Sequence, residues 1–269
     1  MRVDRPLLKA APALRYVLRP GSGLDDVDLD ACREQGVQVL ASPEGNRDAV
    51  GEYCVGVLLD LIRNLSRAQH EVRRGAWVRA PNRGPEVRML TIGIIGYGHT
   101  GPAFASRLAG WGARILVYDP YRGAEGPLVP NGRYVSLTEL QAQSDVVSFH
   151  VPLTGETHHY LDDYFVARMA KPFWLINSSR GAVVDGEAVL RGLEQQRIRG
   201  AALDVLPQEP PQTSFLKQWA PWQDEGRLIL TPHIAGWSHY SRDALYQILL
   251  DKLQNHLEAS ANQSFDLST

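Results

Sequence analysis

The stretch 90–101, LTIGIIGYGHTG, constrains this chain more than any other. The apolar, β-branched run Leu90, Ile92, Ile94 and Ile95 predicts a strand. It leads straight into Gly96, Tyr97, Gly98, His99, Thr100 and Gly101, a G-x-G-x-x-G set followed by a helical pattern with Phe104, Leu108 and Trp111. In such a strand–turn–helix the first glycine permits a tight turn. The second lets the backbone approach a pyrophosphate, and the third lets helix and strand pack closely. The helix N-terminus adds free N–H groups and a partial positive charge. Glycines also gather in ordinary turns, so the context matters. A second strand at 114–118 (RILVY) ends in Asp119, an acidic residue about 20 positions on, where a ribose-binding carboxylate is expected. The pair of features predicts dinucleotide binding, with NAD preferred by Asp119 and Arg122 a counter-signal toward a phosphorylated ribose.

Downstream, short apolar strands alternate with amphipathic helices, the pattern of a parallel sheet covered on both faces. Strands are expected at 145–150, 173–176, 200–205 and 228–230, and helices at 136–142, 164–169, 187–195 and 241–258. A capping box, Ser136 with Glu139, opens the first of these helices. Upstream, a short helix within 1–11, strands at 14–18 and 37–40, and a helix at 28–35 make a small βαβ-like piece. One long helix is expected over 48–74. In open α/β sheets, ligands sit beyond the carboxyl ends of the strands. Six successive strand ends here carry the glycines, Asp119, His150-Val151-Pro152, Ser178-Ser179-Arg180, Asp204 and His233.

With 269 residues, 44% hydrophobic and 22% charged, the chain can build a two-lobed globular fold. A net charge of −2 gives no basis for nucleic-acid or membrane partners. Cys32 and Cys54 lack C-x-x-C spacing, and no His/Asp/Glu/Cys cluster has metal-ligand spacing. Without an apolar signal core or membrane span, a cytoplasmic location is expected.

Hydride transfer at an alcohol carbon needs a substrate clamp and a base poised near neutral pH. Arg180 suits the clamp, since a guanidinium grips a carboxylate with two parallel hydrogen bonds. His233 suits the base. Glu209 suits its partner, because a carboxylate on the far imidazole nitrogen fixes the tautomer and favours the protonated ring. Each has an ordinary alternative. Arg180 also fits a surface cation, Glu209 a solvated loop carboxylate and His233 a structural histidine.

The ordered segments RPGSGLDDVDLDACREQGVQVLASPEGNRDAVGE, GIIGYGHTG, VYDP, HVPLTGETHHYL, NSSRGAVVD, ALDVLPQEP and TPHIAG resemble the NAD-dependent D-2-hydroxyacid dehydrogenases, with the D-3-phosphoglycerate dehydrogenases as the nearest branch. The resemblance implies a doubly wound Rossmann domain at 47–236, inserted in a smaller, discontinuous, flavodoxin-like substrate domain at 1–46 and 237–269, with catalysis in the cleft between them. It implies NAD as cofactor, a 2-hydroxy or 2-keto acid substrate and a homodimer formed through the long helix and the 74–77 arm.

It further implies that Arg180 binds the substrate carboxylate, His233 exchanges the proton and Glu209 pairs with His233. Gly96, Gly98, His99, Thr100, Gly101 and Asp119 would hold the dinucleotide. Val151, Pro152, Ser178, Ser179, Arg180, Asp204, His233, Ala235 and Gly236 would line its nicotinamide side. Ser22, Gly23 and Asn46 would meet the substrate. If that substrate is phosphorylated, Arg2 and Arg19 are phosphate candidates, and His239, a few residues past His233, fits either a phosphate contact or an ordinary solvated role. The chain departs from the family at His99, where Arg or Lys is usual, so weaker or pH-sensitive pyrophosphate binding is expected. It also begins near the end of the family's first strand–helix–strand, so a substrate domain short of its first strands, or a start lying upstream, is expected. A 3-phosphoglycerate-like acid is the expected substrate. Erythronate 4-phosphate, glyoxylate, D-lactate or a non-catalytic NAD sensor are the alternatives.

Overall fold

A computed structural model describes residues 2–122 and 126–266, with side chains to residue 259. Met1 and residues 267–269, at the outer ends of the expected substrate domain, lie outside the described residues. The chain divides into two units, one of Met1–Arg47 with Trp237–Thr269 and one of Asp48–Gly236.

In the larger unit, β3 (Thr91–Ile95), β4 (Arg114–Tyr118), β5 (Gly132–Tyr134), β6 (Val146–Phe149), β7 (Phe173–Asn177), β8 (Ile198–Leu203) and β9 (Leu228–Leu230) form one seven-stranded sheet in the order β5-β4-β3-β6-β7-β8-β9. Every pairing is parallel. Strand residues point alternately to opposite faces, and two cores follow. Ile92, Ile94, Val146, Trp174 and Ile176 pack with Cys54, Leu58 and Leu61 of α3 (Arg47–Arg63) and with Phe104 and Leu108 of α5 (Thr100–Leu108). Ile95, Val147, Phe149, Phe173 and Leu175 face the other way. They pack on α6 (Leu137–Gln143), α7 (Asp163–Arg168), α8 (Gly186–Glu194) and Trp219 of α9 (Thr213–Asp224). Burial on both faces is why these strands read as continuous apolar runs rather than alternating ones. Half of the expected capping box forms: Ser136 Oγ accepts from the Glu139 amide at 3.2 Å, while the Glu139 carboxylate turns to Arg133 and Gln143.

In the smaller unit, β1 (Tyr16–Arg19) pairs in parallel with β2 (Gln38–Ala41). Leu8 of α1 (Arg5–Ala10), Ala31 and Cys32 of α2 (Leu29–Glu34), Val27 and Val37 form its core. Lys252 of α10 (His239–Asp266) bonds Ala41 O and Glu44 Oε1, both at 2.7 Å, tying that helix to the end of β2.

One expectation is corrected, and two elements are present that the pattern did not predict. The helix expected over 48–74 is two helices, because Asn64 takes the left-handed conformation (φ 52°) between α3 and α4 (Leu65–Arg73). The apolar periodicity runs through the break, so the pattern hides it. β5 has only three residues, none buried, and offers no periodic signal. α9 has no side-chain cap and contains Pro221, which masks it as a loop.

Candidate active site

The glycine loop joins β3 to α5 and lies against the ends of β4 and β6. Gly96 has φ +89°, and a Cβ there would meet His150 O at 2.6 Å and Val151 Cγ1 at 2.7 Å. A Cβ on Gly101 would stand 2.5 Å from Gly96 O. The chain's own packing therefore demands both glycines. Gly98 differs, since a Cβ there would meet nothing within 4 Å. Its smallness leaves open space beside the N-terminus of α5, whose first-turn N–H groups have no acceptor within the helix. That space and those donors suit a pyrophosphate, so the residues present fit a dinucleotide.

Asp119 closes the loop from the end of β4. Its Oδ2 accepts the Tyr97 amide at 2.8 Å and its Oδ1 the Tyr121 amide at 3.0 Å. The Arg122 Nε lies 4.0 Å away. His99 caps α5 without a side-chain bond to it and is exposed. Thr100 bonds His150 at 3.0 Å. Val151 and Pro152 follow β6 after His150.

The ends of β7, β8 and β9 carry the second group. Buried Asn177 organises the turn after β7. Its Oδ1 accepts from Ser179 N and Oγ at 3.1 and 2.8 Å, and its Nδ2 donates to Arg180 O at 3.0 Å. Arg180 Nη1 donates back to Ser179 O at 2.7 Å. Ser178 Oγ lies 3.3 Å from the buried Cys54 Sγ. Burial pushes that thiol up to about 12, so it stays protonated and inert as a nucleophile.

Asp204, only 1% exposed, ends β8 and organises the loop after β9. Its Oδ1 accepts from Thr231 Oγ1 at 2.5 Å and Ile234 N at 2.9 Å, and its Oδ2 from Ala235 N at 2.7 Å. The His233 amide donates to Asp204 O at 2.8 Å, with His233 itself left-handed at φ +57°. Few side chains other than Gly accept that conformation, and it persists where surrounding bonds over-determine it. The result is an imidazole whose Nδ1 stands 2.7 Å from Glu209 Oε2. Glu209 Oε1 accepts the Leu206 amide at 2.9 Å, which aims the carboxylate. The side chain is exposed, and the pair can take up and release a proton at the far ring nitrogen, Nε2.

Arg180, Asp204, Glu209, His233 and Ala235 thus lie on successive strand ends of one unit, with Gly236 as its last residue. Ser22, Gly23 and Asn46 belong to the other unit. Its Arg19 donates from Nε to Gly23 O at 3.3 Å and pairs with Asp26 at 3.6 Å. Sequence reasoning missed Tyr53, whose OH lies 2.7 Å from Thr231 Oγ1 across 178 positions of chain. It also missed the contact of His150 with Thr100. The strand-end position of His150 was the available signal. No group of three or more metal-ligating side chains occurs among the described residues. No helix among them is long and apolar enough to cross a membrane.

Residues 55–235 match the family described as D-isomer specific 2-hydroxyacid dehydrogenase, NAD binding domain. The chain is 35% identical over 257 residues to a glyoxylate reductase of Thermofilum pendens, covering 92% of this chain and 73% of that one. It is 33% identical over 233 residues to a D-3-phosphoglycerate dehydrogenase of Synechocystis, covering 87% of this chain and 41% of that one. Among solved structures, the D-lactate dehydrogenase of Aquifex aeolicus complexed with NAD and lactic acid superposes with a TM-score of 0.83. It shares 27% identity and covers 97% of this chain and 82% of that one. The chain belongs to the D-2-hydroxyacid dehydrogenase family. It is an NAD-dependent oxidoreductase built on a Rossmann sheet.

Proposed function

We propose that Arg180, Glu209 and His233 interconvert a small D-2-hydroxy acid and its 2-keto acid. The observation that carries this reading is the 2.7 Å bond between His233 Nδ1 and Glu209 Oε2. It leaves Nε2 to exchange the hydroxyl proton, while the carboxylate stabilises the imidazolium that forms. Arg180, anchored to Ser179 O, grips the substrate carboxylate. The glycine loop, Thr100 and Asp119 hold the dinucleotide, which when bound supplies hydride exchange at C2. Val151, Pro152, Ser178 and Ser179 line its nicotinamide end.

A 3-phosphoglycerate-like acid is the first candidate substrate. The pairing of Arg19 with Asp26 favours a second reading, because it engages a cation expected to meet a phosphate. On that reading the substrate is an unphosphorylated acid such as glyoxylate or D-lactate. A panel of phosphorylated and unphosphorylated 2-hydroxy and 2-keto acids, assayed by NADH absorbance, separates the two. NADH binding with no turnover on any acid would overturn the catalytic reading and favour a sensor.

The chain also acts as a homodimer on this reading. Leu65 and Val72 on α4, with Trp77 and Val78 beyond it, form an exposed apolar series, Trp77 at 83%. Such a series asks for a covering surface. Light scattering at micromolar concentration tests it, and a monomeric mass would overturn it.

A further inference from the structure

We infer that His150 is a positioning residue that turns the Thr100 hydroxyl into a hydrogen-bond donor toward the dinucleotide pyrophosphate, with Ser148 setting its orientation. The inference rests on the reading of the glycine loop as the cofactor site. Three side chains make one line from the sheet interior to the start of α5. Ser148 Oγ, fully buried in β6, lies 2.9 Å from His150 Nε2, and His150 Nδ1 lies 3.0 Å from Thr100 Oγ1. The imidazole stacks on Phe104 with ring centres 5.8 Å apart.

Burial holds the His150 pKa down to about 3, so at neutral pH the ring carries one N–H and one bare nitrogen. Two proton arrangements satisfy both contacts. In one, the Ser148 O–H donates to Nε2, Nδ1–H donates to Thr100 Oγ1, and the Thr100 O–H points outward. In the other, the Thr100 O–H donates to Nδ1, Nε2–H donates to Ser148 Oγ, and the Ser148 O–H is stranded inside the sheet. A buried donor without an acceptor is the costlier loss, and Ser148 has no second acceptor recorded among the described residues. Thr100, half-buried at the first position of α5, is the member of the line with room for an outside acceptor. The first arrangement therefore holds, and Thr100 offers a proton where the helix N–H groups already favour an anion.

Histidine-labelled protein, read by ¹⁵N–¹H correlation, should show the His150 proton on Nδ1. A proton on Nε2 would overturn the proposal. NADH titration by fluorescence should show Thr100→Val weakening affinity about tenfold, and Thr100→Ser keeping it within about threefold, for one charge-assisted bond. Equal affinity in Thr100→Val, with wild-type chain binding NADH, overturns the proposal alone. Failure of the wild-type chain to bind NADH overturns the cofactor reading as well. Matched thermal melts of Thr100→Val, Thr100→Ser and wild type show that the affinities compare folded proteins.

Discussion

His233 and Glu209 meet at 2.7 Å because the backbone of Asp204 holds His233 in a left-handed conformation while the Leu206 amide aims the carboxylate. His233→Ala should lower kcat by about a hundredfold or more, the ordinary worth of a positioned acid–base group, and leave NADH affinity close to wild type. Turnover at the wild-type rate would remove His233 from the mechanism. Glu209→Gln keeps shape and loses charge, and it should lower kcat with little change in NADH affinity, read by the same assays.

Asp204 is the buried organiser of that geometry. Asp204→Asn replaces an acceptor-only carboxylate by an amide whose NH₂ faces other donors. One of the bonds from Ile234, Ala235 or Thr231 is then lost. A cost of about 2–3 kcal/mol, or roughly 5–10 °C in Tm for a unit of this size, is expected together with reduced kcat. Differential scanning calorimetry and steady-state kinetics would show both. An unchanged Tm would mean the three bonds contribute little.

Gly98 and Gly101 should separate binding from folding. Gly101→Ala drives a Cβ to 2.5 Å from Gly96 O and should lower Tm. Gly98→Ala meets no protein atom, so Tm should hold while NADH affinity falls. The reverse pattern would place the cofactor elsewhere.

Asp119 faces the loop with a carboxylate that a 2′-phosphate would repel. NADH should be used at least about tenfold more efficiently than NADPH. Comparable kcat/KM for the two would show that Arg122 outweighs Asp119.

His150 links stability to pH. Its pKa is about 3 folded and about 6.5 unfolded. Between those values the unfolded chain binds more protons, so this group's contribution falls as pH drops from about 6.5 toward 3. At pH 5 the loss is about 2 kcal/mol relative to neutral pH. Urea midpoints at pH 7 and pH 5 should fall more for wild type than for His150→Gln, and parallel falls would show the ring is not held neutral.

The local pattern alone predicted a parallel sheet covered on both faces, the glycine loop with Asp119, and the placement of polar residues at strand ends, while the resemblance to a family supplied the Rossmann topology. These depend on neighbours within a few residues or on burial of whole strands, and both leave a periodic trace. The candidate roles of Arg180, Glu209 and His233 were legible from residue chemistry and motif. Tertiary structure decided which groups meet. Asp204, expected beside the nicotinamide, spends three carboxylate bonds on the loop that carries His233. Tyr53 reaches Thr231, and His150 reaches Thr100, across long stretches of chain. Asn64 breaks a helix that its periodicity continues, because one left-handed residue redirects the backbone without disturbing the apolar spacing. The contacts of Asp204, Tyr53 and His150 arise only when helices and strand ends far apart in the chain are brought together at the sheet, and no local spacing encodes them.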